Sequence, residues 1–315
     1  MQSGGSAYMA DSKYVKWGTH LTIQKSKSWK KQVKIKNKGK NGRRFVYSDK
    51  LFENLAIIKT YTSISYRACQ GIVQNVLGSN APDHTTICRR INALKIKIPE
   101  SPSDQLKDIY LAIDGSGIKP NERGEWIRDK WKIRRGFIKI HFLINVKTRK
   151  IVSFTVTTEE KTDSSQFSIL LKAASKIAST TAADKRNIVL YGDGAYDTNA
   201  NFNRCQKLGI KPMIKVRSNS ALHAGRYARN DAVREQLEEI KHLAFTPNDA
   251  MLKNQAEWKK RVRYGQRWII EVVFSAFKRV FGDSVMSRKW DHIVQELRLK
   301  VWVYNMFCDA GLSTP

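Results

Sequence analysis

Short apolar runs in the middle of the chain have the length of buried β-strands. They cover residues 108–114, 134–145, 151–157, 187–193 and 210–216. Turn-forming or charged segments separate the first three runs, and apolar residues at helical spacing predict helices at 165–178 and 199–208 between the later ones. The predicted order is therefore three strands, a helix, a strand, a helix and a strand.

This order is that of the ribonuclease-H-like fold, so the sequence predicts the α/β class, with a mixed five-stranded sheet covered by helices. In that fold the ends of the first and fourth strands lie side by side. Both of these strands end in an aspartate followed by glycine, at Asp114 and at Asp193. An Asp-Gly pair is ordinarily a turn former. Its repetition at two strand ends that converge nevertheless predicts a site.

A strongly apolar segment near the C-terminus predicts a buried helix with one polar edge. At about 100° per residue, Tyr264, Arg267, Glu271 and Lys278 lie on one narrow stripe. Because unpaired buried charge is costly, we expect this stripe to face a site. The alternative is a solvated stripe with an ordinary i,i+4 ion pair. Apolar residues fill most of the remaining circumference: Ile269, Ile270, Val273, Phe274, Phe277 and Phe281.

Residues 50–98 have helical rather than strand spacing. Two amphipathic segments are followed by a break at 78–82 and by Asp83, a good N-cap for a third helix that runs to about Leu94. This pattern predicts a small all-α helix-turn-helix domain at 50–98, although many three-helix bundles share it. A proline-containing linker then leads to the α/β domain at 104–315. The candidate DNA contacts on the third helix are Thr85, Thr86, Arg89 and Arg90.

The charge of the chain is strongly positive, since 57 Lys and Arg against 28 Asp and Glu give a net charge of +29. Such a balance favours a polyanionic partner, nucleic acid above all, but selects no reaction. Residues 25–44 contain no acidic residue, which predicts a largely disordered basic arm at 1–49. We expect the arm to bind DNA nonspecifically, and a solubilising tail is the alternative. Its candidate contacts include Lys30, Lys31, Arg43 and Arg44.

Further candidate DNA contacts lie in the α/β domain. Arg134 and Arg135 begin the second predicted strand, and Lys259 and Lys260 belong to a basic insertion at 217–262. The insertion is expected to follow DNA by phosphate contact, or else to be an exposed charged helical excursion. The apolar runs are too short to span a membrane, and the N-terminus is polar. Four separated cysteines without a CxxC pair favour a reducing cytoplasm over a zinc or disulfide framework.

The predicted fold also suggests a metal-dependent chemistry. A helix that follows the last strand crosses behind Asp114 and Asp193, which would bring Glu271 to the same point. Three carboxylates in one cavity repel each other, and divalent cations relieve the repulsion. Two Mg²⁺ ions, or Mn²⁺ in their place, can activate a water or a 3′-hydroxyl and stabilise the leaving oxygen of a phosphodiester. Asp197 competes for the second position, but Asp193 directly ends its strand whereas Asp197 can cap the next helix.

The polar stripe resembles the Y-(2)-R-(3)-E-(6)-K signature of DDE insertion-sequence transposases, which include the insertion-sequence-five and insertion-sequence-four families. The similarity extends over about residues 50–310 and includes the motifs at 113–116, 191–197 and 83–90. The resemblance implies that Asp114, Asp193 and Glu271 form the metal-binding triad. It also implies that Arg267 and Lys278 contact phosphates of the DNA, and that Tyr264 stacks or donates a hydrogen bond beside them.

The resemblance further implies a cut-and-paste DNA transposase with endonuclease activity. Such an enzyme binds terminal inverted repeats, cleaves the transposon ends and joins their 3′-hydroxyls to target DNA. Since two ends must be held together, a homodimer or larger synaptic complex is expected, acting on double-stranded DNA in the cytoplasm at the nucleoid. Two alternatives remain: a transposase-derived DNA-binding protein without catalysis, and a metal-dependent ribonuclease-H-like nuclease.

Overall fold

The computed structural model describes residues 13–23, 27–98, 108–120, 137–181, 187–217, 220, 222, 228–237 and 255–312. The candidate contacts Arg134 and Arg135 lie outside these residues. The chain forms two compact units. The first comprises Met1–Lys97 with Ser287–Pro315, and the second comprises Ile98–Met286.

The first unit is helical where it is described. Its helices are α1 (Lys13–Gly18), α2 (Lys27–Asn37), α3 (Asp49–Thr62), α4 (Tyr66–Leu77) and α5 (His84–Asn92). Serine or aspartate side chains accept backbone N–H groups at the starts of the last three helices, which satisfies donors that a helix leaves unpaired. The turn between α4 and α5 contains Gly78 at φ +59° and a short 3₁₀ helix (Gly78–Asn80). Buried side chains of α2, α3, α4 and α5 share one core, with Leu51, Phe52, Leu55, Val73, Ile87 and Ile91 at its centre.

The division into units differs from the predicted domain boundaries at the C-terminus. The closing helix, Trp290–Phe307, belongs to the first unit and not to the α/β domain. Its Leu299 is buried in the core of that unit. Gln295, also buried, donates from Nε2 to the carbonyl oxygens of Ile91 (3.3 Å) and Leu94 (3.0 Å) at the end of α5. These contacts join segments about 200 residues apart in sequence, which periodicity cannot reveal.

The predicted disordered arm also differs from the structure, because α1 and α2 lie within residues 1–49. Trp17 stacks on Phe307, with ring centroids 4.5 Å apart, and Trp29 is buried in the core of the first unit. The high density of lysines concealed these aromatic anchors. An apolar ring buried against a core supplies the free energy that ordering a basic segment requires.

The second unit contains the predicted sheet. Its strands are β1 (Asp108–Pro120), β2 (Ile138–Asn145), β3 (Ile151–Thr158), β4 (Asn187–Gly192) and β5 (Ile210–Ile214), in the spatial order β3-β2-β1-β4-β5. The first three strands are antiparallel neighbours, and β4 and β5 run parallel to β1. This is the ribonuclease-H-like strand order, so the predicted fold class is confirmed. A two-residue strand, β6 (Ser284–Val285), pairs with the end of β1.

Helices lie on both faces of the sheet. They are α6 (Asp163–Thr181), α7 (Asn199–Lys207), α8 (Ala228–Leu237) and α9 (Ile269–Phe281). We number the closing helix, Trp290–Phe307, α10. A 3₁₀ helix, Tyr264–Trp268, leads directly into α9, and residues 255–261 before it are also helical.

Side chains of β1 alternate between these two faces, as a strand requires. Ile113 and its cross-strand partner Leu143 share a core with Phe167 and Leu170 of α6. Asp114 pairs instead with Phe142, whose ring stacks on Phe274 of α9 at 4.6 Å. Even-numbered positions near residue 114 therefore face α9, and odd-numbered positions face α6.

Within the described residues, none of the helices combines the length and the apolar character that a membrane span needs. The four cysteines, all within the described residues, form no disulfide with one another: Cys69, Cys88, Cys205 and Cys308.

Candidate active site and nucleic-acid contacts

Asp114 lies on β1 where the strand passes under α9. Its side chain is 22% exposed, and Oδ1 accepts a hydrogen bond from the backbone N–H of Gly115 at 2.8 Å. Burial raises the pKa of Asp114 to about 6, and the nearby carboxylates of Asp193 and Asp163 also raise it. The Gly115 N–H and the Arg267 guanidinium oppose that increase. Strong perturbation by burial and neighbouring charge is typical of functional carboxylates.

Asp193 follows β4 immediately, as the sequence predicts. Its Oδ1 accepts the N–H of Ala195 at 2.9 Å and so caps the 3₁₀ helix Gly194–Tyr196. The end of β4 is also held from the other side, because the buried Tyr264 hydroxyl donates to the carbonyl oxygen of Gly192 at 2.8 Å. Tyr264 is thus occupied with the strand that carries Asp193, rather than exposed to stack beside DNA.

Arg267 connects the two elements that carry Asp114 and Glu271. Its Nη1 lies 3.4 Å from Asp114 Oδ2, and its Nη2 lies 2.5 Å from Glu271 Oε1. The i,i+4 ion pair considered as the ordinary alternative is therefore present, and Arg267 also reaches a carboxylate outside its own helix, that of Asp114. One guanidinium bridges a carboxylate of β1 and a carboxylate of α9. Glu271 is the more exposed of the two, at 46%.

Lys278 lies two turns further along α9. Its Nζ donates to the hydroxyl of Ser116 at 2.8 Å, and Ser116 shares the α9-facing side of β1 with Asp114. Burial lowers the pKa of Lys278, with Lys119 acting in the same direction and Asp283 against it. The structure thus brings Arg267 and Lys278 to the same side of β1, at positions 114 and 116.

Asp197 is the alternative to Asp193 as the second metal ligand, but other residues already bind its carboxylate. Arg229 of α8 binds it through Nε at 2.5 Å and Nη2 at 2.9 Å, and both side chains are buried. The N–H of Arg217 and the hydroxyl of Ser220 also donate to Asp197. Burial alone would raise the pKa of Asp197, but these partners outweigh it and hold the pKa below its ordinary value. The carboxylate has little capacity left for a metal ion.

The oxygen-donor set suits a hard divalent cation, but the arrangement is not a completed metal site. Among the described residues, no group of three His, Cys, Asp or Glu side chains is close enough to hold an ion. Asp114 and Glu271 share the positively charged guanidinium of Arg267. Carboxylate oxygens are the ligands that Mg²⁺ prefers, and a cationic partner already lies between two of them. The residues therefore fit Mg²⁺ if Arg267 gives up one of its carboxylates.

The candidate contacts on α5 differ from one another in availability. Thr85 and Thr86 are turned to the N-cap, where both hydroxyls donate to the Asp83 carboxylate. Arg89 is exposed. Arg90 instead forms an ion pair with Asp49 and lies over the rings of Phe45 and Phe52, 5.3 and 4.5 Å from their centroids.

Cations of the N-terminal segment lie next to α5. Lys36 and Lys40 lie over the Phe45 ring, at 4.5 and 4.3 Å from its centroid, together with Arg90 of α5. This cluster joins α2 to α5 within one unit. The predicted contacts around it are exposed: Lys30, Lys31, Arg43 and Arg44. In the second unit, Lys259 is half-buried and Lys260 exposed on the helical segment 255–261.

Sequence reasoning missed a polar cluster on the opposite face of β1. Asp163, at the start of α6, lies 3.0 and 3.1 Å from Lys139 Nζ and 3.1 Å from His141 Nδ1. The signal was available in the sequence, because a Lys-x-His pattern within a strand puts both residues on one face. Arg229 was also missed, since nothing local links it to Asp197.

Asp114→Asn is expected to stabilise the metal-free protein at neutral pH. Ionisation costs more in the folded state, because the pKa of about 6 exceeds the ordinary 3.8. At pH 7 the neutral amide therefore removes a penalty of up to about 3 kcal/mol. The gain disappears below about pH 4, where the carboxyl group is protonated in both states. Urea unfolding in EDTA at pH 7 and pH 4 measures this difference, and an equal gain at both pH values would contradict it.

Comparison with protein families assigns the chain. A family described as "Transposase DDE domain" matches residues 105–306, and a second family with the same description matches residues 18–123. The first match covers more than half of the chain. The chain therefore belongs to the DDE transposase family and is a DNA transposase, as the resemblance predicted. The insertion-sequence-five and insertion-sequence-four assignment is consistent with this result.

Similar solved structures include transposase complexes. The piggyBac transposase synaptic complex with hairpin DNA has 10% identity and a TM-score of 0.44, over 94% of this chain and 74% of that one. The Drosophila P element transposase strand transfer complex has 13% identity and a TM-score of 0.28, over 85% and 67%. An intasome of simian T-cell lymphotropic virus with the PP2A regulatory subunit B56 gamma has 14% identity and a TM-score of 0.24, over 65% and 66%. The assignment rests on the family match and the strand order.

Proposed function

We propose that this transposase binds terminal inverted repeats, cleaves the transposon ends and joins the freed 3′-hydroxyls to target DNA at the centre formed by Asp114, Asp193 and Glu271. The observation that best supports the proposal is the bridge made by Arg267. It ties Asp114 of β1 to Glu271 of α9, at 3.4 and 2.5 Å, beside the aspartate that ends β4. Three distant segments of the sequence thus contribute charge to one edge of the sheet.

The three carboxylates would hold two Mg²⁺ or Mn²⁺ ions, which activate the attacking hydroxyl and stabilise the leaving oxygen when bound. Asp114 and Asp193 hold their positions through backbone contacts with Gly115 and Ala195. Glu271 is released when Arg267 turns towards a DNA phosphate, since a guanidinium binds phosphate oxygens as readily as carboxylate oxygens. In hydrolysis, water attacks phosphorus and the 3′-oxygen leaves. In joining, that 3′-hydroxyl attacks a target phosphodiester and displaces a 3′-oxygen of the target.

Lys278 would contribute a second contact to the DNA backbone. Its ammonium group already donates to Ser116, so it is oriented along the same face of β1 as Asp114. A positioned cation near the scissile phosphate neutralises the charge that develops during displacement. Tyr264 would act differently, by holding the carbonyl of Gly192 and therefore the start of the Asp193 segment.

DNA binding is assigned to cations of the first unit and to Lys260 of the second. The net charge of +29 supports a polyanionic partner. Arg89 of α5, with Lys30, Lys31, Arg43 and Arg44, would contact the inverted repeats, and Lys260 would contact flanking or target DNA. Because two ends must react together, we propose a homodimer or larger synaptic complex that acts at the nucleoid in the cytoplasm.

Replacing Arg43 and Arg44 with alanine is expected to weaken DNA binding uniformly across sequences. Loss of two phosphate contacts should make the slope of log affinity against log salt concentration shallower by about 1 to 2. The control is Lys207→Ala with Lys211→Ala, which removes the same charge from exposed positions of the second unit. Fluorescence anisotropy with duplex DNA between low and high salt gives both slopes. Identical slopes for the two double variants would contradict the assignment.

A joining assay tests the proposal as a whole. Purified protein is mixed with labelled DNA that carries candidate terminal repeats and with a supercoiled target, in Mg²⁺ or in EDTA. We expect labelled ends joined to the target only when Mg²⁺ is present. Cleavage without joining would favour a metal-dependent nuclease. Binding to verified ends without cleavage or joining would favour a transposase-derived DNA-binding protein.

A further inference from the structure

A polar cluster lies behind Asp114, on the α6 face of the sheet. We call Lys139, His141 and Asp163 the support cluster. The two β2 residues point to the same side of the sheet, and both contact the carboxylate of Asp163 at the start of α6. Buried His141 also lies 2.9 Å from the Thr157 hydroxyl of β3 through Nε2. The cluster therefore joins β3, β2 and α6 through polar side chains.

The cluster reaches β1 at the residue that follows Asp114. His141 is the cross-strand partner of Gly115, and Lys139 is that of Gly117. A Cβ atom on Gly115 would lie 2.4 Å from Asp163 Oδ1 and 2.9 Å from His141 Nδ1, which is closer than real contacts allow. Because Gly115 has no side chain, the Asp163 carboxylate can occupy this space. By contrast, a Cβ on Gly117 would meet only Phe137, at 3.9 Å.

The positions of the surrounding groups connect this cluster with the acidic centre. Asp163 acts electrostatically on Asp114, from the face of β1 opposite to α9. Tyr196 is fully buried on the α6 side, and this burial raises the pKa of its hydroxyl group. The carboxylates of Asp114, Asp163 and Asp193 raise the same pKa further. Asp163 is thus a fourth carboxylate at this edge of the sheet, and the only described contacts that fix it come from Lys139 and His141.

We infer that the support cluster holds the Asp114–Gly115 segment in the position that lets Asp114 bind a divalent cation, with Asp163 as the positioning residue. The Asp163 carboxylate occupies the space where a Cβ of residue 115 would lie, so its loss allows β1 to shift towards α6 and carries Asp114 away from α9. Partners of this kind behind a metal ligand typically change metal affinity by about 10 to 100-fold. The inference rests on the proposed function, because it requires Asp114 to be a metal ligand.

The test measures Mn²⁺ binding to the purified full-length protein by the electron paramagnetic resonance signal of free Mn²⁺. Asp163→Asn removes the charge, and Gly115→Ala leaves every charge in place but forces the Asp163 carboxylate away. Asp108→Asn is the matched control, since it makes the same chemical change at the opposite end of β1, where Asp108 accepts a hydrogen bond from Asn187 at 3.2 Å. Thermal melting and duplex DNA binding show whether each variant is folded.

We expect Asp163→Asn and Gly115→Ala each to raise the Kd for Mn²⁺ about 10-fold or more, while Asp108→Asn leaves it unchanged and all three bind DNA. Lys139→Gln, at a partly exposed position, serves if the other variants do not fold, and is expected to act in the same direction. Unchanged Mn²⁺ affinity in a folded Asp163→Asn or Lys139→Gln variant overturns the inference alone. If Asp114→Asn leaves Mn²⁺ binding unchanged, both the inference and the proposed role of Asp114 are wrong.

Discussion

Asp193→Asn is expected to abolish cleavage and joining while leaving DNA binding and folding intact. The amide keeps the shape of the side chain and can still accept the N–H of Ala195 through its oxygen. It lacks the charge needed to hold a divalent cation, so we expect a loss of about 10³-fold or more. That is well above the 10 to 100-fold typical of residues behind the ligands. Single-turnover cleavage of labelled ends in Mg²⁺ measures the effect.

Binding of the same DNA by anisotropy and the melting temperature of the variant are the controls for Asp193→Asn. A folded variant that binds ends like the wild type and still joins them to the target would remove Asp193 from the chemistry. A variant that loses binding as well would point to a role in shaping the DNA site, because the proposed chemistry follows binding.

Asp197→Asn is expected to lower the free energy of unfolding strongly, whereas Asp193→Asn leaves folding intact. The substitution leaves the buried guanidinium of Arg229 without its ionic partner, and breaking a buried pair in this way costs about 3 to 5 kcal/mol. Arg229→Met should cost about as much, because it leaves the carboxylate unpaired. The double variant should recover part of the loss, since neither charge is then stranded. Urea unfolding of the three variants measures these differences.

The stability difference for Asp197 also has a defined pH dependence. The folded-state pKa lies below the ordinary value of 3.8. The stabilisation that the ionised Asp197 carboxylate provides is therefore present above about pH 4, and it is lost as the pH falls through the lower, folded-state pKa. The wild type and Asp197→Asn should accordingly converge in stability at strongly acidic pH. A constant difference down to pH 2 would show that packing rather than charge determines it.

In the folded Asp197→Asn variant, Mn²⁺ binding should remain closer to that of the wild type than in Asp193→Asn.

Local patterns in the sequence predicted the fold and much of the candidate site. Each strand is a compact apolar run, and the polar stripe from Tyr264 to Lys278 lies within a few turns of helix. The sequence predicts Asp114 and Asp193 as site residues because each one ends an apolar run that forms a strand. Alternation along β1 also follows from local geometry, which explains why Asp114 and Ser116 face α9.

Other features depend on long-range contacts that no local pattern records. Arg229 belongs to a helix 32 residues after its partner Asp197. The sequence predicts that Arg90 contacts DNA, yet its guanidinium is held between Asp49 and two aromatic rings. The place of α10 in the first unit depends on Gln295 reaching carbonyls about 200 residues earlier. Asp163 begins a helix in sequence, and nothing local indicates its partners Lys139 and His141 on β2.

The helix that carries Glu271 is fastened to the sheet at both ends. Tyr264 binds the carbonyl of Gly192 just before α9, and just after it Lys119 pairs with Asp283 at 2.7 Å beside the β1–β6 pairing. The number of residues between these two fastenings determines where Glu271 stands opposite Asp114. Insertions or deletions between positions 264 and 283 should therefore be rare among active relatives. Length changes in the stretch between α8 and the helical segment 255–261 leave that spacing unaltered, so this stretch is free to vary in length as such transposases diverge.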